Sequence, residues 1–368
     1  MSIVYIGMDV HKNSYTLSAL YRNGEYSRYL KAKTIQASPG AVIRYINDVR
    51  REVGSDVPVR CGYEAGCLGY YLQRELSKKG IPCEVMVPVS MQNGKKNDRR
   101  DSHTLAKNLD STDYQKVYIP TIQDEAVKDY IRMRDNTMHA LKQVKNQIMA
   151  FCLRHGFKYT GKTNWTQAHI AWLKKLDWPH PLLKETMDEY LARLEWLKMQ
   201  LKSMDAKIER ISQKEPYKEK VGKLSCFMGV KSLTALAALV EVGDFNRFAT
   251  AYVFDVYLGL VPRENSSSDN KRFGRITKQG NSHLRSLLIE AAQCFGRSRK
   301  GFKSQELKQR QKGQPEEVVR YADRANERMK AKFARMRLLH EKAWNVAVTA
   351  IARELACFMW GMMTGRIA

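Results

Sequence analysis

Over the first hundred residues the apolar positions alternate between strand and helix spacing. Residues 3–9 form a β-rich apolar run closing on Asp9, and residues 15–21 repeat it after the turn-like His11-Lys12-Asn13, which predicts an antiparallel hairpin. A helix is predicted over 39–53, a strand over 57–64, a helix over 69–79 and a strand over 83–88. That succession makes an α/β domain of about a hundred residues, with the first two strands and 57–64 in one sheet.

Farther along, the period lengthens. Met187, Tyr190, Leu194, Leu197, Leu201, Met204, Ile208 and Ile211 keep a 3-4 spacing for more than three heptads, which predicts a coiled coil. An earlier helix over 123–155, carrying Ile131, Met138, Leu141, Val144 and Ile148, pairs with it inside the chain, or else the helices pair between subunits. Trp165, Trp172 and Trp178 lie between them among Lys158, Lys162, Lys174 and Lys175, placed either to stack on unpaired RNA bases or to pack the helix tip. Residues 224–240 read as helix, Gly229 turn and helix. That pattern fits a helix-hairpin-helix offering N–H groups to phosphate, or a helical hairpin burying Leu236, Leu239 and Val240. From 297 to 342 Arg and Lys dominate while Val318, Tyr321, Ala325, Met329, Phe333 and Met336 keep helical spacing, predicting a basic amphipathic helix. The apolar face continues through Trp344, Val348, Ile351, Leu355 and Phe358, so the end is expected to dock and turn its cations toward RNA or DNA. The fold class is α/β plus α, divided at 1–115, 116–218 and 219–368.

Charge then narrows the partners. The 63 Lys and Arg against 38 Asp and Glu leave a net +25, and a polyanion is the economical explanation. No run of eighteen uncharged apolar residues occurs and the start lacks a cationic leader, so a soluble, cytoplasmic protein without a membrane partner is expected. The seven cysteines have no C-x-x-C pair or matching histidine spacing, and read as small core residues in a reducing compartment.

Two constellations carry chemistry. Asp9 and Glu64 close strands, while Asp98 and Asp101 sit three apart on one face of a helix predicted over 98–109. Four carboxylates converging at strand ends and a helix start repel one another, and a hard divalent cation relieves that repulsion; Mg²⁺ suits phosphoryl chemistry. Lys95, Lys96, Arg99 and Arg100 flank the helical pair as phosphate-binding groups. The second constellation is Ser266, Ser267 and Ser268, set between a Pro/Gly-punctuated turn and the cations Arg263, Lys271, Arg272, Arg275 and Lys278. No serine–histidine–aspartate set surrounds it, so metal ions would have to help activate the hydroxyl or steady the leaving oxygen.

Gly7-Met-Asp9-Val-His-Lys12, Tyr63-Glu64-Ala-Gly66, Lys96-Asn-Asp98-Arg-Arg-Asp101, and Gly259-Leu-Val-Pro262 through Ser267 to Gly280-Asn281 stand in one order along the chain. Together they resemble the insertion-sequence transposases that join a RuvC-like DEDD domain to a C-terminal serine domain, the bridge recombinases. The resemblance implies an RNase H-like domain over 1–115, a coiled-coil region over 116–218 and a serine domain over 219–368. It implies that Asp9, Glu64, Asp98 and Asp101 hold Mg²⁺ and that Ser267 forms a phosphoserine link to DNA before strands are exchanged and rejoined. Ser268 stands where the family pattern has glycine, and Ser266 is the next choice as nucleophile. It further implies a structured non-coding RNA that pairs with donor and target DNA, and dimers that meet in a tetrameric synapse, where the two sites can come from different subunits. The alternative is a metal-dependent RuvC-like junction or RNA nuclease using the acidic domain alone; it would leave no protein-linked DNA.

Overall fold

The hairpin expected at the start of the chain is β1 (Ser2–Val10) and β2 (Ser14–Asn23), antiparallel from Ser2↔Asn23 to Val10↔Tyr15. The computed structural model describes residues 2–88, 97–264, 273–299 and 301–367, which divide into the units Met1–Ile119 and Pro120–Ala368. Two short strands that the apolar pattern does not reveal, β3 (Tyr26–Tyr29) and β4 (Lys33–Gln36), both pair with β2. Their residues are almost all exposed, so no hydrophobic alternation marks them. Helix α1 (Pro39–Val53) starts on Ser38, whose hydroxyl accepts from the Ala41 N–H, and has proline in its first turn. After it come β5 (Val59–Glu64), α2 (Tyr71–Lys78), β6 (Cys83–Met86) and α3 (Asp98–Ser111). The sheet order is β3-β2-β1-β5-β6, with β5 and β6 parallel to β1.

The two-residue period of β1 sorts the faces of this sheet. Val4, Ile6 and Met8 point into a core shared with Val42, Tyr45, Ile46 and Val49 of α1 and Leu72 and Leu76 of α2. Tyr5, Gly7 and Asp9 therefore face the other way, where α3 lies with Leu105 and Leu109 packed on Met86. The unit is a mixed α/β layer structure, as expected of an RNase H-like domain. Cys61 and Cys83 are register partners, both buried and free, as small core residues would be; Cys67 is exposed.

In the second unit α4 (Ile122–Arg154), α5 (Gln167–Lys174) and α6 (Pro181–Ser212) come first. Helices α4 and α6 run antiparallel within the chain: Leu141, Val144, Ile148 and Phe151 pack with Met187, Leu191, Leu194, Leu197 and Leu201. At their other ends Val127, Ile131 and Ile208 join the core of the C-terminal helices. These are α7 (Lys218–Leu224), α8 (Ser232–Val242), α9 (Ala251–Leu258), α10 (Ser282–Ala292), α11 (Gln305–Gln311), α12 (Glu316–Leu338) and α13 (Trp344–Met363). Between α9 and α10 stands the small antiparallel pair β7 (Pro262–Glu264) and β8 (Phe273–Ile276). The α7–α8 segment buries Leu236, Leu239 and Val240.

The basic tail differs from the single helix expected over 297–342. Gly313 at φ 81° and Pro315 at the N-cap of α12 separate α11 from α12, and the chain leaves helix again before Trp344. Val318, Ala325, Met329 and Phe333 are buried as expected, whereas Tyr321 and Met336 lie only partly covered beside them. Helix α13 is long and apolar enough to cross a membrane, but most of it is buried among the other helices of its unit.

Candidate acidic site and serine hairpin

The acidic site follows from the face assignment of the sheet. Asp9 is the last residue but one of β1, two after Gly7, and Glu64 ends β5 two residues after Gly62; Gly7 and Gly62 are register partners. Both acids thus leave the sheet on the face that α3 covers. Helix α3 begins there because Asn97 caps it, its side chain accepting from the Arg99 N–H at 3.0 Å, with Asp98 and Asp101 in the first turn. The helix is seated by Ser102, fully buried, whose hydroxyl meets that of Ser18 on β2 at 2.7 Å.

One donor atom each from Asp9, His11 and Asp98 lie within 4.8 Å of one another, close enough to share a cation. His11 Nδ1 stands 3.5 Å from Asp9 Oδ1, with the imidazole half exposed. Glu64 and Asp101 are partly buried and stand outside that triplet. Two carboxylates and an imidazole at a strand end fit a divalent cation, the oxygens favouring Mg²⁺, Ca²⁺ or Mn²⁺. Sequence reading missed His11 as a donor; its signal was the two-residue step beyond Asp9 that brings the chain back over the strand end. Arg99 and Arg100 are exposed beside the pair, and Lys95 and Lys96 lie outside the described residues.

The serines Ser266, Ser267 and Ser268, with Lys271 and Arg272, also lie outside the described residues, between β7 and β8. Strands β7 and β8, the base of this hairpin, flank them in sequence. Glu264 and Phe273 are register partners, and Arg263, Arg275 and Lys278 are exposed around the pair. Gly259 and Gly280, both at positive φ, each lie so close to the opposite chain that a Cβ would sit 2.0 Å from a carbonyl oxygen, of Gln279 and Tyr257 respectively. Arg285 Nη1 donates to the Leu258 carbonyl at 2.7 Å, tying α10 to the same base.

Just behind this base is a charge network absent from the sequence reading. Glu241 is almost wholly buried and accepts two hydrogen bonds from Arg132 and one from the Asn281 amide. Asn281 also caps α10, accepting from the Leu284 N–H. His283 sits between carboxylates: Nε2 is 2.5 Å from Asp135 Oδ2, and Nδ1 is 3.1 Å from Glu241 Oε1. Asp135 first, and then Glu241, raise its pKa to about 9. Burial works against Glu241 ionising, but the contacts with His283, Arg132 and Asn281 outweigh it and hold that carboxyl at about 2. Because the folded pKa of His283 lies above its unfolded value, its contribution is complete below about pH 6.5 and is lost as pH rises through about 9. We expect His283→Asn to lower the melting temperature at pH 6 by several degrees and to do little at pH 10, a difference of up to about 3 kcal/mol in the pH-dependent part. Thermal unfolding monitored by circular dichroism across that range checks this; equal losses at both pH values would refute it.

A mixed α/β sheet backed by a helix with two leading aspartates is consistent with a DEDD domain. Residues 6–157 match the transposase family DEDD_Tnp_IS110, and residues 222–306 match the Transposase IS116/IS110/IS902 family. The transposase for insertion sequence element IS1533 of Leptospira borgpetersenii is 34% identical, covering 92% of this chain and 98% of its own. Putative transposase y4qE of Sinorhizobium fredii is 31% identical over 97% of this chain and 88% of its own, and the transposase for IS1111A of Coxiella burnetii is 23% identical over 98% and 90%. The chain belongs to the IS110/IS116 family of transposases, enzymes that act on DNA.

Proposed function

We propose that this transposase cuts and rejoins DNA through a covalent phosphoserine intermediate, guided to donor and target DNA by a structured non-coding RNA. Membership of the IS110/IS116 transposases supports its action on DNA, and the convergence of Asp9 and Asp98, with His11, where α3 begins supports its metal-dependent part. Asp9, Glu64, Asp98 and Asp101 are the proposed Mg²⁺ set, with His11 as a further donor beside Asp9 and Asp98. When bound there, Mg²⁺ supplies positive charge against the developing phosphorane and the leaving oxygen.

The Ser267 hydroxyl is the proposed nucleophile. Its oxygen forms a bond to phosphorus as the bond from phosphorus to one deoxyribose oxygen breaks; the serine proton is given up and the departing oxygen leaves as a hydroxyl. The phosphodiester is kept as a serine ester, so a second DNA hydroxyl can displace serine and restore a strand without hydrolysis. Arg263, Lys271, Arg272, Arg275 and Lys278 hold the phosphates on either side, and Lys95, Lys96, Arg99 and Arg100 do the same at the acidic site. Protein dimers pairing into a tetramer would bring two DNA partners together.

The test incubates the protein with its element's DNA, its RNA and Mg²⁺, and looks for a protein–DNA adduct that survives denaturation. Ser267→Ala is expected to abolish the adduct while Ser266→Ala and Ser268→Ala retain it. An adduct persisting in Ser267→Ala overturns the choice of nucleophile; strand cleavage with no adduct in the unmodified protein overturns the covalent mechanism.

A further inference from the structure

The tip of the α4–α6 hairpin carries an open groove of about 370 Å³, bordered by Trp165, Ile170, Lys174 and Lys198 among others, with no acidic residue in its lining. Three independent features mark it. Trp165 has φ 69°, a left-handed conformation that a bulky side chain rarely adopts and that tends to be kept where function needs it. Its N–H donates at 3.0 Å to Nδ1 of His169, a fully buried residue whose own N–H is capped by Thr166, so the turn is built to hold that tryptophan. Meanwhile Trp178 is spent on packing, stacked on Phe151 at 4.8 Å, which leaves Trp165 as the ring at the groove.

The third feature is charge without a counterion. Lys145 lies 5.4 Å from the Trp165 ring, and Lys198 lines the groove. Lys174 is paired with Glu195, but among the described residues no carboxylate pairs with Lys145 or Lys198. Burial and then the neighbouring Lys198 charge both press the Lys145 pKa downward, as expected of two ammonium groups held together with no anion between them. A pair of ammoniums beside an aromatic face is complementary to a phosphate carrying a base.

We propose that this groove binds one unpaired nucleotide of single-stranded nucleic acid, its base stacked on Trp165 and its phosphate held between Lys145 and Lys198. The inference rests on the nucleic-acid reading above for the ligand class alone; Ser267 and the acidic site take no part in it. Its lining holds no carboxylate, histidine or cysteine, which makes it a site for holding a strand, not for reacting with it.

The experiment uses the full-length protein with short uridine RNA and thymidine DNA oligomers, each carrying one 5-iodouracil. After irradiation, the crosslinked peptide is located by mass spectrometry. A crosslink on the peptide containing Trp165 is expected, and the arm with the higher yield tells RNA from DNA. Trp165→Gly, which suits φ 69°, is expected to remove that crosslink, and Lys145→Ala with Lys198→Ala to cut its yield about tenfold. Circular dichroism of both variants establishes that they fold. Crosslinks confined to other peptides, or yields unchanged in the folded variants, overturn the site, whereas adduct formation by Ser267 reports separately on the recombination chemistry.

Discussion

Asp98→Asn is expected to lower strand cleavage by roughly a thousandfold while leaving the fold intact, because removing one anionic metal donor costs several kcal/mol of charge stabilisation in the transition state. Asp98 and Asp9 present oxygens within 4.8 Å of each other, a like-charge approach that destabilises the metal-free protein. Neutralising Asp98 relieves that repulsion. It also removes a negative charge from the first turn of α3, where the helix dipole favours it by about 0.5 kcal/mol. The two effects oppose each other, so the unfolding free energy should move by less than about 1 kcal/mol. The diagnostic is the response to metal. Unmodified protein should gain melting temperature as Mg²⁺ or Mn²⁺ is added, by binding to the folded state alone, and Asp98→Asn should gain far less. If the variant keeps both its metal-dependent stabilisation and its cleavage rate, Asp98 is not a ligand. His11→Ala should fall between the two, with a loss of about ten- to a hundredfold, as befits a neutral donor beside anionic ones.

The elements that place the four acids were legible in the sequence, because each acid stands near an element boundary that patterning locates well. The apolar run ending at Asp9, the strand ending at Glu64 and the helix starting at Asp98 coincide with β1, β5 and α3 to within a residue or two. What patterning could not show is which donors converge. His11 follows the strand in a turn, and its approach to Asp9 depends on how β1 hands over to β2, a matter of backbone path that hydrophobic periodicity does not encode. The network around His283 was invisible for a related reason: Asp135, Glu241 and His283 come from α4, α8 and α10, and a lone buried ion pair leaves no period in any one helix. The α4–α6 pairing shows the opposite limit, since heptads predict that the helices pair but are the same whether the partner is in the chain or in another subunit. At the basic tail, composition suggested one helix where Gly313 and Pro315 impose a break, and those two residues were the local signal that outweighed the periodicity.

Gly7→Ala is expected to destabilise the first unit by about 3 kcal/mol or more and to disable the acidic site with it. A Cβ at Gly7 would lie 2.1 Å from the Ser102 carbonyl oxygen, 2.3 Å from the Ala106 nitrogen and 2.8 Å from Leu105 Cβ. Two of these are backbone atoms of α3, so no rotamer change relieves the clash; the helix must lift off the sheet. Lifting it loosens the buried Ser18–Ser102 hydrogen bond and the packing of Leu105 and Leu109, and it moves Asp98 away from Asp9. The neighbouring Gly62 provides the control. There a Cβ meets Met86 Cε at 2.8 Å and the Leu109 methyl carbons at 3.0 and 3.2 Å, all ends of flexible side chains, so Gly62→Ala should cost only about 1 kcal/mol. Denaturant unfolding of the two variants measures the contrast, and metal titration of whatever folds in Gly7→Ala tests the link to the site. Equal costs for the two substitutions would mean that α3 does not rest on Gly7, and would remove the reason that a glycine stands two residues before Asp9: close seating of the helix that brings Asp98 to it.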